Sequence, residues 1–168
     1  DLSEHHFGQQ WASSCLKLPG VWAYLRGVLK PRLVKTVDIQ RQAVFGLHPH
    51  GLLPIGAVLN TASNNAEFSG LFPDLQKRVV LAASACFVFV LFRELLISGH
   101  IFDCTKANFQ AWLSRGYSVM IFPGGAHEGL YAQPGADMLD LKRKRGFICL
   151  AMQAGVNVVP CYTFNEVD

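Results

Sequence analysis

The chain has 168 residues, 51% of them hydrophobic and 16% charged, with a formal net charge of +3. That length suits one domain with a substantial core, and so small a charge gives no argument for a nucleic-acid partner. Soluble domains usually carry about 25% charged residues, so this composition points to surface hidden in partners or laid against a membrane. Cys15, Cys86, Cys104, Cys149 and Cys161 show no C-x-x-C spacing. They form neither a zinc framework nor a disulfide scaffold, and they fit a reducing compartment.

In chain order, PGVWAYLRGVLKPRLVK (Pro19 to Lys35) opens with helical spacing. Val21, Trp22, Tyr24, Leu25, Val28 and Leu29 share one face, Arg26 and Lys30 flank it, and Pro31 ends the helix near Lys30. Such a face suits either a core or a membrane surface. Residues 1–40 read as an amphipathic and linking segment ahead of a main domain at 41–168. The chain opens at Asp1 without an initiating Met and stops after an apolar run, so it reads as part of a longer protein, with any anchor expected elsewhere.

AVFGL (Ala43 to Leu47) reads as a short buried strand, and GLLPIGAVLN leads from it into a helix. Asn64, Asn65 and the residues up to Pro73 read as a loop-like insert. RVVLAAS (Arg78 to Ser84) is a second strand, followed by helical spacing over Val90 to Ser98 and a brief strand at Ile101 to Asp103. The run Val79 to Phe92 holds 14 uncharged residues, short of the ~20 that span a bilayer. It suits core elements or a piece that dips into a membrane. KANFQAWLS (Lys106 to Ser114) is helical, and YSVMIFP (Tyr117 to Pro123) is the clearest strand. A helix over Arg145 to Gln153 stops at Gly155, and VNVVPCYTF (Val156 to Phe164) is the last strand. Continuous apolar strands alternating with helices predict an α/β fold with a mainly parallel sheet flanked by helices.

In open parallel sheets, sites gather beyond the carboxyl ends of strands. After AVFGL comes His48-Pro49-His50-Gly51, and after YSVMIF comes PGGAHEGL with Gly124, Gly125, His127 and Glu128. If the sheet brings both turns to one edge, Glu128 comes within reach of an imidazole. A carboxylate orients such a ring while its other nitrogen takes a substrate proton. Pro49 stiffens the turn, Gly51 permits close approach of substrate, and Gly124 and Gly125 offer N–H groups to a developing oxyanion. Gly124-Gly125 also suits a plain turn, and Glu128 a solvated surface position. No G-x-S-x-G elbow is present, which favours direct attack by a substrate hydroxyl over an acyl-enzyme. The run LKRKR (Lys142, Arg143, Lys144, Arg145) is either a solvated face or an anion site, and Arg93-Glu94 suits a local ion pair.

These segments together resemble the type-2 diacylglycerol acyltransferase family, which includes monoacylglycerol and wax-ester-forming relatives. The resemblance runs from about Val44 onward. It rests on HPHG (His48 to Gly51), FSGLFP (Phe68 to Pro73), RELLISG (Arg93 to Gly99), FPGGAHE (Phe122 to Glu128), PG…LKRKRGF (Pro134 to Phe147) and LAMQAGVNVVPCYTFNE (Leu150 to Glu166). It implies a glycerolipid-acyltransferase-like, membrane-associated domain over 41–168 that transfers a fatty acyl group from acyl-CoA to diacylglycerol, giving triacylglycerol. No further cofactor and no metal are implied. The implied place is the endoplasmic reticulum membrane with the site facing the cytosol, or a lipid droplet, and a homo-oligomer is compatible.

Related glycerolipid acyltransferases use a His-x4-Asp motif, but here Leu53 stands five after His48 and Ile55 five after His50. The carboxylate is therefore expected from Glu128, with His50 as base and His48 in support. By the same resemblance Pro49, Gly51, Arg93, Gly124 and Gly125 meet substrate, and Lys142, Arg143, Lys144 and Arg145 meet the CoA phosphates. This chain departs from the family pattern at His127, in RKRGF and in YTFNE, which leaves the acceptor open among diacylglycerol, monoacylglycerol and a long-chain alcohol. Two other classes also fit HPHG: a His-x-His metal-dependent hydrolase, and a lipid-binding protein at a membrane surface without turnover.

Overall fold

The structure is a computed structural model and describes residues 19–51, 53–61, 66–133, 135, 139, 141–142 and 144–166. Its centre is a five-stranded sheet in the order β3-β2-β4-β1-β5, every neighbouring pair parallel. The strands are β1 (Ala43–His48), β2 (Arg78–Ala82), β3 (Ile101–Asp103), β4 (Ser118–Ile121) and β5 (Asn157–Tyr162). The helices are α1 (Pro19–Leu29), α2 (Ile55–Thr61), α3 (Ala66–Leu71), α4 (Val90–Ser98), α5 (Lys106–Ser114), α6 (Gly125–Tyr131) and α7 (Gly146–Ala154), with 3-10 turns at Pro73–Leu75 and Ser84–Phe87.

Alternation along the strands divides the core. Ala43, Phe45, Leu47, Val80 and Met120 face Ala57 of α2, Phe68 of α3, Phe72 and Leu96. Val44, Val79, Leu81, Val119 and Ile121 face Phe109, Trp112 and Leu113 of α5 and Ala151 of α7. A strand covered on both sides is apolar over most of its length, which is why Ala43 to Leu47 of β1 and Val119 to Ile121 of β4 read as unbroken runs. Each buried Val, Leu or Phe contributes about 1.5–3 kcal/mol. Pro160 sits in β5, where an edge strand tolerates the missing donor.

Local signals act where expected at several ends. Thr105 accepts a hydrogen bond from the Asn108 amide and so caps α5. Gly155 closes α7 in the left-handed conformation, at φ 66°. Elsewhere the structure differs from the sequence reading. Ala66 to Leu71 of the expected loop is helical, while 62–65 lie outside the described residues. The apolar run from Val79 to Phe92 divides into strand, 3-10 turn and the start of α4. Among the described residues no helix is long and apolar enough to cross a membrane.

The connections place the functional edge. From β1 the chain passes over β4 to reach β2; from β4 it passes over β1 to reach β5. The loops leaving these adjacent strands thus run in opposite directions along the sheet. That switch opens a crevice at their carboxyl ends, the usual place for a ligand in such sheets.

Candidate active site

Strand β1 runs one residue further than its apolar text, because His48 pairs with Tyr162 in β5 and its carbonyl accepts from the Thr163 amide at 2.7 Å. His48 is therefore a strand residue on the same face as Val44 and Gly46. Its Nδ1 lies 3.4 Å from Oε1 of Glu128, with both side chains buried. A contact of that length is long for a charge-assisted bond, as catalytic hydrogen bonds often are before substrate arrives.

Glu128 reaches His48 because of Gly124. The glutamate, in the first turn of α6, folds back over the turn after β4, and a Cβ at 124 would overlap its Cβ and its carboxylate. Gly125 takes a left-handed φ of 57°, and its amide donates to the Phe122 carbonyl at 3.0 Å. The Gly125 N–H expected to meet an oxyanion is thus engaged within the turn itself. The segment expected to be a plain turn becomes a short helix beyond it.

His50 has different surroundings from those expected. The ring is buried and meets Phe122 edge-on, with centroids 5.5 Å apart. Its Nδ1 lies 3.0 Å from the Gly51 carbonyl. A carbonyl only accepts, so Nδ1 carries the proton and Nε2 holds the lone pair of the neutral ring. Nε2 is buried with no hydrogen-bond partner. The carboxylate contact assigned in advance to His50 is made by His48. Pro49 is buried between the two rings in sequence, and the His48–Pro49 peptide is cis.

On the inner side of the site a Cβ placed on Gly46 would sit 3.7 Å from His48 Nε2, 3.5 Å from Pro123 and 3.8 Å from the ring of Phe147. Phe147 is the second residue of α7, just past the basic run. Lys142, Lys144 and Arg145 are exposed, and Arg145 donates to the Lys142 carbonyl at 3.0 Å; Arg143 lies outside the described residues. The run is thus two residues from a ring bordering His48. Arg93 is half-exposed and donates to Glu94 Oε1 at 2.9 and 3.1 Å, which is the local ion pair its sequence suggests. Glu94 itself is buried, and its Oε2 has no hydrogen-bond partner.

Glu166 was not among the expected site residues. It follows β5, and its carboxylate accepts from the Gly56 and Ala57 amides at 2.9 Å each. Burial pushes its carboxyl above the usual range; the two amide bonds and the charge of His50 pull the other way. Its signal in the sequence was a carboxylate just past a third strand that ends at the same edge. Among the described residues no group of three or more His, Cys, Asp or Glu could hold a metal ion.

A family model described as diacylglycerol acyltransferase matches residues 5–168. The chain is 34% identical to human (Homo sapiens) 2-acylglycerol O-acyltransferase 3 over 161 residues, 93% of this chain and 47% of that protein. It is 40% identical to diacylglycerol O-acyltransferase 1 of Schizosaccharomyces pombe over 141 residues, 82% of this chain and 41% of that protein. With human diacylglycerol O-acyltransferase 2 it shares 34% identity over 151 residues, 87% of this chain and 39% of that protein. The chain thus spans less than half the length of these relatives. No solved structure matches it.

Proposed function

Because the chain belongs to the diacylglycerol acyltransferase family, we propose that its cleft transfers a fatty acyl group from acyl-CoA to the free hydroxyl of diacylglycerol. The observation that carries this reading is the His48–Glu128 contact at the crevice between β1 and β4. It is the pair needed to activate a hydroxyl, on a chain without a nucleophile elbow.

Glu128 orients His48 through Nδ1 and stabilises the imidazolium that forms. Nε2 takes the acceptor hydroxyl proton as that oxygen attacks the thioester carbonyl. Collapse of the tetrahedral intermediate breaks the carbon–sulfur bond, and the same imidazolium returns the proton to the CoA thiolate. The products are triacylglycerol and CoA. Gly124, whose chain lies between β4 and α6, is the donor assigned to the oxyanion. His50, with its lone pair on Nε2, supports His48, which inverts the order expected from sequence. Exposed Lys142, Lys144 and Arg145 meet the CoA phosphates as cations, close to the mouth that Phe147 borders.

The acceptor comes from a bilayer. Leu53, Val88, Phe89 and Phe164 are exposed on loops after β1, β2 and β5, as is Val90 at the start of α4, all at the edge that holds the site. Tyr24, Val28 and Leu29 of α1 are more than half exposed as well. Apolar side chains rimming a cleft suit a membrane surface, and the cytosolic face of the endoplasmic reticulum membrane is the place that fits the free cysteines and the lipid chemistry. Similarity to a 2-acylglycerol O-acyltransferase supports monoacylglycerol as the second acceptor.

The test is acyl transfer in membranes from labelled acyl-CoA to a panel of diacylglycerol, monoacylglycerol and long-chain alcohol. His48→Ala and Glu128→Gln are expected to lose about 10²–10⁴-fold in turnover. Near-normal rates in a well-expressed His48→Ala protein would remove the base.

A further inference from the structure

Three strand ends, not two, converge on the HPHG turn. Beyond its last pairing with His48, strand β5 sends Thr163, Phe164 and Asn165 around a bend in which Asn165 takes a left-handed φ of 57°. The bend returns Glu166 to the turn. Its main-chain oxygen closes on Gly51, where an added Cβ would approach it to 3.2 Å. Its carboxylate reaches the start of α2, accepting from Gly56 and Ala57. One residue therefore lies against the start of the segment that leaves His50 and is hydrogen-bonded to its far end. Gly56 leaves room for this: a Cβ there would stand 2.8 Å from Glu166 Oε2.

We propose that Glu166 is a positioning residue for the acyl transfer, fastening the His50 turn to the start of α2. This rests on the reading of the cleft given above. The carbonyl of Gly51 fixes the tautomer of His50, and the main-chain oxygen of Glu166 lies against that same glycine.

Among the described residues, the imidazole–carboxylate contact of the site is that of Glu128, from α6 onto His48. The Glu166 carboxylate leaves β5 and holds the start of α2, a helix without charged side chains. His127, next to Glu128, is exposed and meets Tyr131 edge-on. The site thus joins one imidazole–carboxylate pair at the β1–β4 crevice to a second carboxylate that braces the segment after His50.

The experiment follows His50 and turnover separately in Glu166→Ala and Glu166→Gln. Histidine-selective NMR of the detergent-solubilised protein reads each ring without any need for catalysis, and His48→Ala and His50→Ala assign the signals. Glu166→Ala loses both amide bonds, so its His50 ring resonances are expected to shift or broaden and its kcat/KM to fall about tenfold, through kcat rather than KM. Glu166→Gln keeps a side-chain oxygen that accepts from the α2 amides and is expected to retain most of the native rate. Unmoved His50 resonances in folded Glu166→Ala, or a native rate in that variant, would overturn the positioning role. Normal turnover in His48→Ala would sink the base assignment alone, since the His50 resonances stand apart from it.

Discussion

Replacement of Gly124 by Ala tests the geometry of the dyad without touching either of its members. An alanine Cβ would lie 2.5 Å from the carboxyl carbon of Glu128 and closer still to its Cβ. Carbon atoms that are not bonded settle at about 3.5–4.0 Å, so the carboxyl group must retreat by roughly 1 Å. Because the Glu128 Cβ is also overlapped, rotation of the side chain alone does not relieve the clash; the first turn of α6 has to move. The contact with His48, already 3.4 Å, then lengthens to about 4.4 Å, beyond hydrogen-bond range. Misplacement on that scale costs about 10²-fold, equivalent to roughly 2.7 kcal/mol of transition-state stabilisation.

The assay is acyl transfer in membranes at saturating acyl-CoA, paired with thermal unfolding in detergent. Gly116→Ala serves as the control for backbone strain alone. Gly116 has a φ of 81° and nothing within 4 Å of an added Cβ, and it lies between α5 and β4 at the opposite edge of the sheet. It is expected to lose about 1–2 kcal/mol of stability with turnover intact. If Gly124→Ala works within threefold of the native rate, Glu128 does not depend on the gap at 124. The carboxylate–imidazole argument then fails.

Three further outcomes follow from other parts of the molecule. Arg78 is buried, donates to the Thr61 carbonyl and the Ser69 hydroxyl, and lies over the Phe68 ring; Arg78→Ala is expected to cost about 3 kcal/mol, a Tm drop of roughly 6–12 °C, and an unchanged melt would make those contacts dispensable. Burial pushes the Cys161 thiol up to about 11, so at pH 8 it should alkylate about tenfold slower than exposed Cys149 and quicken as pH rises toward that value; equal labelling rates by mass spectrometry would contradict the burial. Reversing charge at Lys142, Lys144 and Arg145 is expected to raise the KM for acyl-CoA about fivefold and to weaken its salt dependence, whereas an unchanged KM would make the run a solvated face.

The α/β class was legible because a strand buried on both faces has no polar side to display. AVFGL, VVLA and VMIF gave continuous apolar runs, and the helices between them kept their spacing. The short helices were less legible. Helix α3 spans six residues, too few for a period to declare itself, and α6 begins at a glycine pair that reads as a turn. Its start becomes visible only when Glu128 is seen lying over Gly124. The same lack of local signal hides Glu166, whose partners Gly56 and Ala57 stand 110 and 109 residues earlier.

Which histidine meets Glu128 turns on a single strand boundary. If β1 stopped at Leu47, His48 and His50 would both be loop residues and nothing local would choose between them. Pairing with Tyr162 and Thr163 carries the strand through His48. Alternation then sends that ring to the face of Val44 and Gly46, which Phe147 and Pro123 also border. His50 lies past the last pair, beyond the reach of strand alternation, and is held by its own turn. The choice therefore comes from β5, the edge strand more than a hundred residues downstream, and not from anything within HPHG. A substitution that weakens the end of β5, such as Thr163→Pro, removes the donor to the His48 carbonyl and should disturb the His48–Glu128 pair before it disturbs the central strands. In that sense the catalytic reading of the motif depends on the edge of the sheet as much as on the motif itself.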